Sequence, residues 1–260
     1  MKAKWVIDKA SLQRWSDFKD ANIDHQMVKD RQSRNVERNN IVLSKKKLWR
    51  SFVVCQITTL QKSGPNTPVS RFLNSKSSAL YYDDLCTQNV SVKELLEDEL
   101  SKAGLRFPIK IASNLSQILE LLKKDEWTIL LNHLKKLKLN PIQSQEQLVV
   151  EYLQSNYSIE ERQGLGLEKV RKKYPGLGPK QARNFIQMIG LSRYEVPLDS
   201  RVLKKLKELG CSFVPGSSAL SDESVYRFLQ SGIQQIAEAL DVHPCILDAC
   251  IFSSFNKKKP

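Results

Sequence analysis

Nowhere in this 260-residue chain do apolar and polar residues alternate with period two for long enough to make a half-buried strand. What recurs instead is an apolar residue every three or four positions, the spacing that gathers side chains on one face of a helix. Over residues 47–60, Trp49, Phe52, Val53, Cys55, Ile57 and Leu60 suit a largely buried helix, which Ser63, Gly64, Pro65, Asn66 and Pro68 then break. Residues 91–103 open on a Ser-x-x-Glu capping pattern (Ser91, Glu94), and 114–123 carry Leu115, Ile118, Leu119, Leu121 and Leu122. Residues 125–136 and 144–153 repeat the style, each behind an N-cap candidate. The expected fold class is therefore all-α, with helices of about 8 to 20 residues and short connections.

The chain is long enough for one large domain or two modest lobes. Residues 1–40 read as an N-terminal extension, joined by the polar stretch 30–40, a loop or exposed helix, to a main body over 41–260. The lysine-rich end, 256–260, reads as a disordered tail in preference to a phosphate contact.

Charge narrows the partners. Forty-one Lys and Arg against 28 Asp and Glu leave +13, more than solubility requires, which points to a polyanion and first to nucleic acid. No run of about 18 apolar residues and no basic helix with a continuous apolar face argues for a membrane partner. The first residues carry charges inside their only apolar stretch and lack the core of a secretory signal, so an intracellular protein is expected. Five scattered cysteines without a CxxC pair suit reduced thiols, and three histidines, none at ligand spacing, give no metal site. Neither metal nor cofactor is expected.

The informative stretch is 174–201, YPGLGPKQARNFIQMIGLSRYEVPLDSR. Pro175, Gly176, Leu177 and Gly178 make a tight turn whose glycines can take positive φ and leave amides uncovered, and Pro179 suits a first helical position. Ala182, Phe185, Ile186 and Ile189 then define one apolar face, and Gly190 suits the residue beyond the helix end. Upstream, 168–174 reads as a short basic helix, so helix, Gly-Leu-Gly hairpin and helix span about 168–190. Free amides at a positive helix N-terminus form a site for one backbone phosphate, indifferent to base sequence.

These residues resemble the HhH-GPD superfamily of base-excision DNA glycosylases, through Pro-Gly-Leu-Gly-Pro-Lys-Gln-Ala at 175–182 followed by Val-Pro-Leu-Asp-Ser-Arg at 196–201. The motif covers about a tenth of the chain, and its two parts in this order and spacing are more specific than a hairpin alone, which also occurs in noncatalytic DNA-binding proteins. The resemblance implies two helical lobes with an active-site groove between them. In lyase-competent members the residue two after the second hairpin glycine is the catalytic lysine, which makes Lys180 the nucleophile. Asp199, nineteen positions on, matches the family aspartate at a separation like that of the 8-oxoguanine branch. Gly176, Gly178 and Arg201 are then DNA contacts, Arg201 through a flanking phosphate. Segment 48–62 is similar to the family's early helix, whose end fills the gap left by a flipped base, and Gln56, Thr58, Thr59 and Gln61 are candidates for that role. Residues 243–255 resemble the closing helix beside the substrate pocket, with Phe252 or Phe255 as the aromatic wall. Asn184 stands where the eukaryotic 8-oxoguanine branch places a cysteine against the base. The four-cysteine iron-sulfur loop of the endonuclease III branch is missing, so no cluster is expected.

The implied chemistry is base removal followed by strand cleavage on double-stranded DNA, by a monomer. The nucleotide must leave the stack before C1′ is accessible. An amine attacks only when neutral, and a helix N-terminus and a dry groove both disfavour its charged form. A fixed carboxylate stabilises the positive charge developing on the sugar. Plainer roles stand beside these. Asp199 precedes SRVLKKLKEL and fits an N-cap; Lys180 fits a phosphate contact; Asn184 fits a solvent-facing or backbone-bonded amide. Cys211, Cys245 and Cys250 fit small core residues, His243 a loop or cap residue, and Trp5, Trp15, Trp49 and Trp127 the core. A noncatalytic hairpin protein explains the charge and the hairpin without the Lys180–Asp199 pairing, and a glycosylase for hypermodified bases in foreign DNA keeps the pairing with another substrate.

Overall fold

A computed structural model describes residues 5–88, 90–164 and 172–255. Among these residues the chain forms helices, turns and one isolated antiparallel bridge between Asn156 and Lys172, and no strand. The α-helices run α1 Lys9–Asp20, α2 Gln26–Arg31, α3 Lys45–Ile57, α4 Pro68–Leu73, α5 Tyr82–Cys86, α6 Val92–Lys102 and α7 Pro108–Leu121. They continue as α8 Trp127–Leu139, α9 Gln143–Leu153, α10 Ile159–Gly164, α11 Pro179–Met188, α12 Ser200–Glu208, α13 Glu223–Ala239 and α14 Pro244–Ser254.

Local chemistry sets many of the starts. Asp8, Ser44, Thr67, Ser91, Asp199 and Asp222 each accept a hydrogen bond from an amide in the first turn that follows. Helix α7 begins six residues before the stretch its leucines mark, because Pro108 supplies a first-turn residue that gives up no needed donor.

Two apolar cores divide the molecule into lobes. The larger gathers α3 to α9 and the inner face of α11, centred on Leu48, Trp49, Phe52, Leu115, Leu130 and Phe185. The smaller gathers Trp15 of α1, Val196 and Leu198 of the loop after α11, and the inner faces of α12, α13 and α14. A satellite of Val28, Cys245, Ile246, Ala249 and Cys250 seats α2 on α14.

Residues 5–31 pack into this second lobe, and 32–40 run between the lobes, where Arg38 donates to the Leu137 and Lys138 carbonyls at the end of α8. Trp15 is fully enclosed, Trp5 Nε1 donates to the Phe228 carbonyl at 3.2 Å, and Arg31 pairs with buried Asp248 at 3.0 Å. Within the polar stretch 30–40, three side chains are turned inward among exposed neighbours: Arg31, Asn35 and Arg38. Asn35, fully buried, donates to the carbonyls of Gln187 and Ser192 at 3.1 and 2.9 Å, supplying the partners that buried carbonyls require. The tail expected to be disordered, 256–260, lies outside the described residues.

Candidate active site

The hairpin turn starts at buried Tyr174, whose carbonyl accepts from Leu177 N at 3.2 Å. Gly176 has φ +82°, and a Cβ there would overlap the Gln56 carboxamide, so the position asks for glycine on both counts. Gln56 Nε2 donates to the Pro175 carbonyl at 2.6 Å and its oxygen accepts from Asn114 Nδ2 at 3.0 Å. Gln56 is therefore a buried brace under the turn, not the exposed gap-filler expected. Gly178 differs from Gly176. Its φ of −80° is open to any residue, but its Cα faces open space, which leaves the backbone at the mouth of α11 unshielded. Of the basic helix expected over 168–174, residues up to 171 lie outside the described residues, and 172–174 are not helical: Lys172 bridges to Asn156 and the chain bends through Lys173 and Tyr174 into the turn.

Pro179 opens α11, and Lys180 follows in its first turn. Ala182, Phe185 and Ile186 anchor the helix in the first lobe, and Gly190, at φ +91° against the Arg34 carbonyl, turns the chain out of it. The segment from Leu191 to Asp199 has no regular structure, yet it is held at nearly every residue. Glu146, buried on α9, accepts from the amides of Arg193, Tyr194 and Glu195 at 2.6, 2.9 and 2.7 Å. Burial pushes the Glu146 carboxyl up to about 7, against the pull of those three amides. Tyr226 of α13 donates its hydroxyl to the Val196 carbonyl at 3.0 Å and accepts from Leu198 N.

Asp199, at the end of that segment, caps α12 through Oδ1, which accepts from Arg201 N at 2.9 Å and Val202 N at 3.3 Å. The plainer cap role thus coexists with a charged one. Its Oδ2 lies 3.7 Å from Lys180 Nζ and accepts from the Arg201 guanidinium at 2.6 and 3.1 Å. Burial alone would raise the Asp199 carboxyl, but the Arg201 hydrogen bonds and the charges of Lys180 and Arg201 hold it below the ordinary carboxylate range. The Lys180 and Asp199 side chains keep 32% and 17% of their surface, enough for a ligand to meet both. The pair joins the two lobes: Lys180 rides on a helix of the first core, and Asp199 follows directly on Leu198 of the second.

Arg201 folds back over the Phe252 ring, its guanidinium carbon 3.8 Å from the centroid, so one aromatic wall candidate lies beside the carboxylate. Phe255 lies a turn further on, with Lys204 and Lys205 about 5.8 and 5.3 Å over its ring. Asn184 Nδ2 donates to Gln181 Oε1 at 2.9 Å, and Gln181 Nε2 to Thr59 Oγ1 at 2.8 Å, which ties Asn184 and Thr59 into a polar row running from α11 to the end of α3. Thr58 turns its hydroxyl onto its own helix, to the Val54 carbonyl at 2.7 Å. Gln61 bonds the Ile57 carbonyl and accepts from Arg106 N at 3.0 Å, so it staples two loops together.

That staple organises a tip where Leu60, expected on the buried face of the helix, instead lies beyond its end at Ile57 and points to solvent, because the left-handed turn at Leu60 takes the chain off the helix. Leu60 and Phe107 both hold left-handed backbone, at φ 55° and 60°, while exposing 75% and 46% of their surface. Arg106 joins them, donating to the Leu60 carbonyl at 3.0 Å and lying over the Phe107 ring. A non-glycine residue in this region costs roughly 1 to 2 kcal/mol, so two adjacent loops carry strain to present apolar side chains to solvent. A cavity of about 410 Å³, lined by residues such as Trp5, Trp15, Leu209, Phe213 and Phe228, belongs to the second lobe and includes none of these groups. Glu146 was legible in hindsight, because it takes the first place in the stripe Glu146, Val149, Val150, Leu153, where a core residue is expected.

No family model matches the sequence, and no curated protein matches it. Solved structures do. The 8-oxoguanine DNA glycosylase of Thermotoga maritima superposes with a TM-score of 0.63 at 17% identity, over 95% of this chain and 98% of that one. The 8-oxoguanine DNA glycosylase of Methanocaldococcus jannaschii gives 0.57 at 16% identity, over 95% and 94%. The same archaeal enzyme, as the glycosylase/lyase in complex with 15mer DNA containing 8-oxoguanine, gives 0.59 at 16% identity, over 95% and 97%. The chain shares the fold of these enzymes along almost its whole length.

Proposed function

We propose that this chain is a base-excision DNA glycosylase with lyase activity, in which Lys180 attacks C1′ of an extruded nucleotide and Asp199 stabilises the charge that develops there. The observation that carries the reading is the Lys180 amine in the first turn of the helix that follows the Gly-Leu-Gly turn, 3.7 Å from a carboxylate held ionised. The shared fold supports it.

In this mechanism the bond from C1′ to the amine forms as the bond to the base breaks, the electron pair leaving on the base nitrogen, which takes up a proton. The C1′–O4′ bond then breaks as the nitrogen lone pair forms a protonated imine, and O4′ leaves with the electron pair and takes up a proton. Loss of a proton from C2′ then expels the 3′ phosphate, and the strand is nicked. Asp199 lies beside the lysine nitrogen, placed to help move the proton that the amine must lose before it attacks and to face the sugar cation, and stabilisation by such a fixed group is worth about 10²- to 10³-fold in rate. The amides of Gly176 and Gly178 and the side chain of Arg201 hold phosphates, Arg201 by leaving Asp199 and Phe252. Gln61 acts indirectly, by fixing the tip on which Leu60 and Phe107 press into the helix where the base has left, as apolar wedges do.

The substrate proposed is double-stranded DNA carrying an oxidised purine, acted on by a monomer inside the cell. The archaeal neighbour is crystallised with 8-oxoguanine DNA, and the Phe252 ring offers a planar wall once Arg201 withdraws. Asn184, whose amide carries donor and acceptor and donates to Gln181, is proposed as a base-reading group. Borohydride added during reaction with 8-oxoguanine or abasic-site duplex traps a covalent adduct in the wild type, and Lys180→Gln abolishes it. Equal trapping by both proteins removes Lys180 from the mechanism. Cleavage of an oxidised pyrimidine in place of 8-oxoguanine keeps the mechanism and replaces the substrate.

A further inference from the structure

The two groups of the proposed site belong to different cores, so neither core alone fixes their separation. Among the side chains that cross between them, one reaches both the helix of the amine and the segment of the carboxylate. Arg183 lies on α11 one turn after Lys180, and its guanidinium is completely buried. Nη1 donates to the carbonyl of Pro179, at the first turn of that helix, at 2.9 Å. Nε donates to Glu195 at 2.6 Å, and Nη2 to Glu223 at 2.8 Å. The plane lies 4.1 Å from the centroid of Tyr226. Glu195 precedes Asp199 by four residues, and Tyr226 bonds the backbone at Val196 and Leu198, on both sides of Pro197. Two of its three partners outside α11 therefore belong to the delivery of Asp199: Glu195 lies in the segment that leads to it and Tyr226 grips that segment, while Glu223 ties the guanidinium to the start of α13.

A lone guanidinium is costly to bury, and well-packed apolar groups often serve stability as well or better. What a guanidinium adds is direction: a planar fork with fixed donor angles, and a face that stacks on an aromatic ring. Here the fork spans the lobe boundary, with one prong on the helix of the amine and one on the loop of the carboxylate. We infer that Arg183 is a positioning residue that sets the Lys180–Asp199 separation, acting through Glu195 and Tyr226 and touching no substrate. The inference rests on Lys180 and Asp199 being the reacting pair.

The test compares wild type, Arg183→Lys, and the double variant Arg183→Met with Glu195→Gln, which removes the cation without stranding a buried anion. Each is measured for melting temperature, duplex affinity, single-turnover excision and the crystallographic distance from Lys180 Nζ to Asp199 Oδ2. The double variant is expected to stay folded and to bind duplex within about threefold of wild type, with the distance lengthened and excision about 100-fold slower, the cost of a displacement near 1 Å. Arg183→Lys, which keeps the charge but loses the fork, should fall between. A folded double variant with unchanged distance and undiminished excision overturns the inference. So does a loss of activity that tracks the unfolded fraction or the duplex affinity. Where wild type itself traps no adduct, the reading of Lys180 fails, and the measured distance still decides whether Arg183 sets the geometry.

Discussion

At the scale of single residues, the two hairpin glycines answer to different needs, and substitution separates them. Gly176→Ala meets both the left-handed backbone and the Gln56 brace, so it should lower stability by about 1 to 2 kcal/mol or more in a denaturant titration. Gly178→Ala meets nothing and keeps an ordinary backbone, so the fold should be untouched, while a methyl group between phosphate and amides weakens duplex binding severalfold. Equal melting temperatures for the two variants would contradict this division. Asp199 also has two separable jobs. Asn caps helices as well as Asp does, so Asp199→Asn should stay within about 1 kcal/mol of wild type near neutral pH while excision falls by two to three orders of magnitude. Its folded carboxyl is depressed, so the stability its charge supplies is complete above the unfolded value near 3.8 and is lost as pH falls through the folded value. The variant should lose that part of the acid sensitivity, as melting curves below pH 4 would reveal.

Among elements, the irregular segment 191–199 depends on Glu146, a carboxylate on another helix that gathers three consecutive amides. Its folded value near 7 exceeds the ordinary 4.5, so the folded state holds a proton that the unfolded state releases, and this group's contribution falls as pH rises from 4.5 to 7. Glu146→Gln should flatten stability over that window, and an unchanged slope between pH 5 and 7 would place its origin elsewhere. The helical class and the presence of α3, α6, α8 and α9 were readable from apolar spacing, because those helices bury one face against neighbours of the same kind, although α3 ends at Ile57, three residues before the expected Leu60. The hairpin and Asp199 were readable because turn and cap chemistry is local. Arg183, Tyr226 and the Leu60–Phe107 tip were not, since their roles come from residues far away in sequence. Gln56 was misread for the same reason: exposure at a helix end is decided by what packs over it, here the turn at Pro175.

For the whole molecule, the +13 charge implies binding that is electrostatic before it is specific. Affinity for undamaged duplex should fall steeply, by orders of magnitude between about 50 and 200 mM salt, with little dependence on base sequence, because each phosphate contact releases counterions. A flat response in a fluorescence-anisotropy titration would contradict the proposed mode of binding. The all-helical fold makes most contacts local, but the packing of Trp15, Asn35 and Arg31 against Leu247, Gln187 and Asp248 is an exception that a helical pattern does not announce.

That exception has a consequence in time. One lobe is drawn from the middle of the chain and the other from both ends, so on the ribosome the first lobe can close while α1 and α2 wait for partners more than two hundred residues downstream. Domains assemble as their own contacts become available, and long-range closure is the slow part. Lys180 is thus synthesised and seated before the lobe that carries Asp199 can form, and the pair comes together only when α14 leaves the ribosome. A nascent chain halted before α14 should carry a folded, protease-resistant first lobe with no competent lysine. On the proposed reading, the amine and its carboxylate partner are assembled last, by the closing of a loop that spans nearly the whole protein.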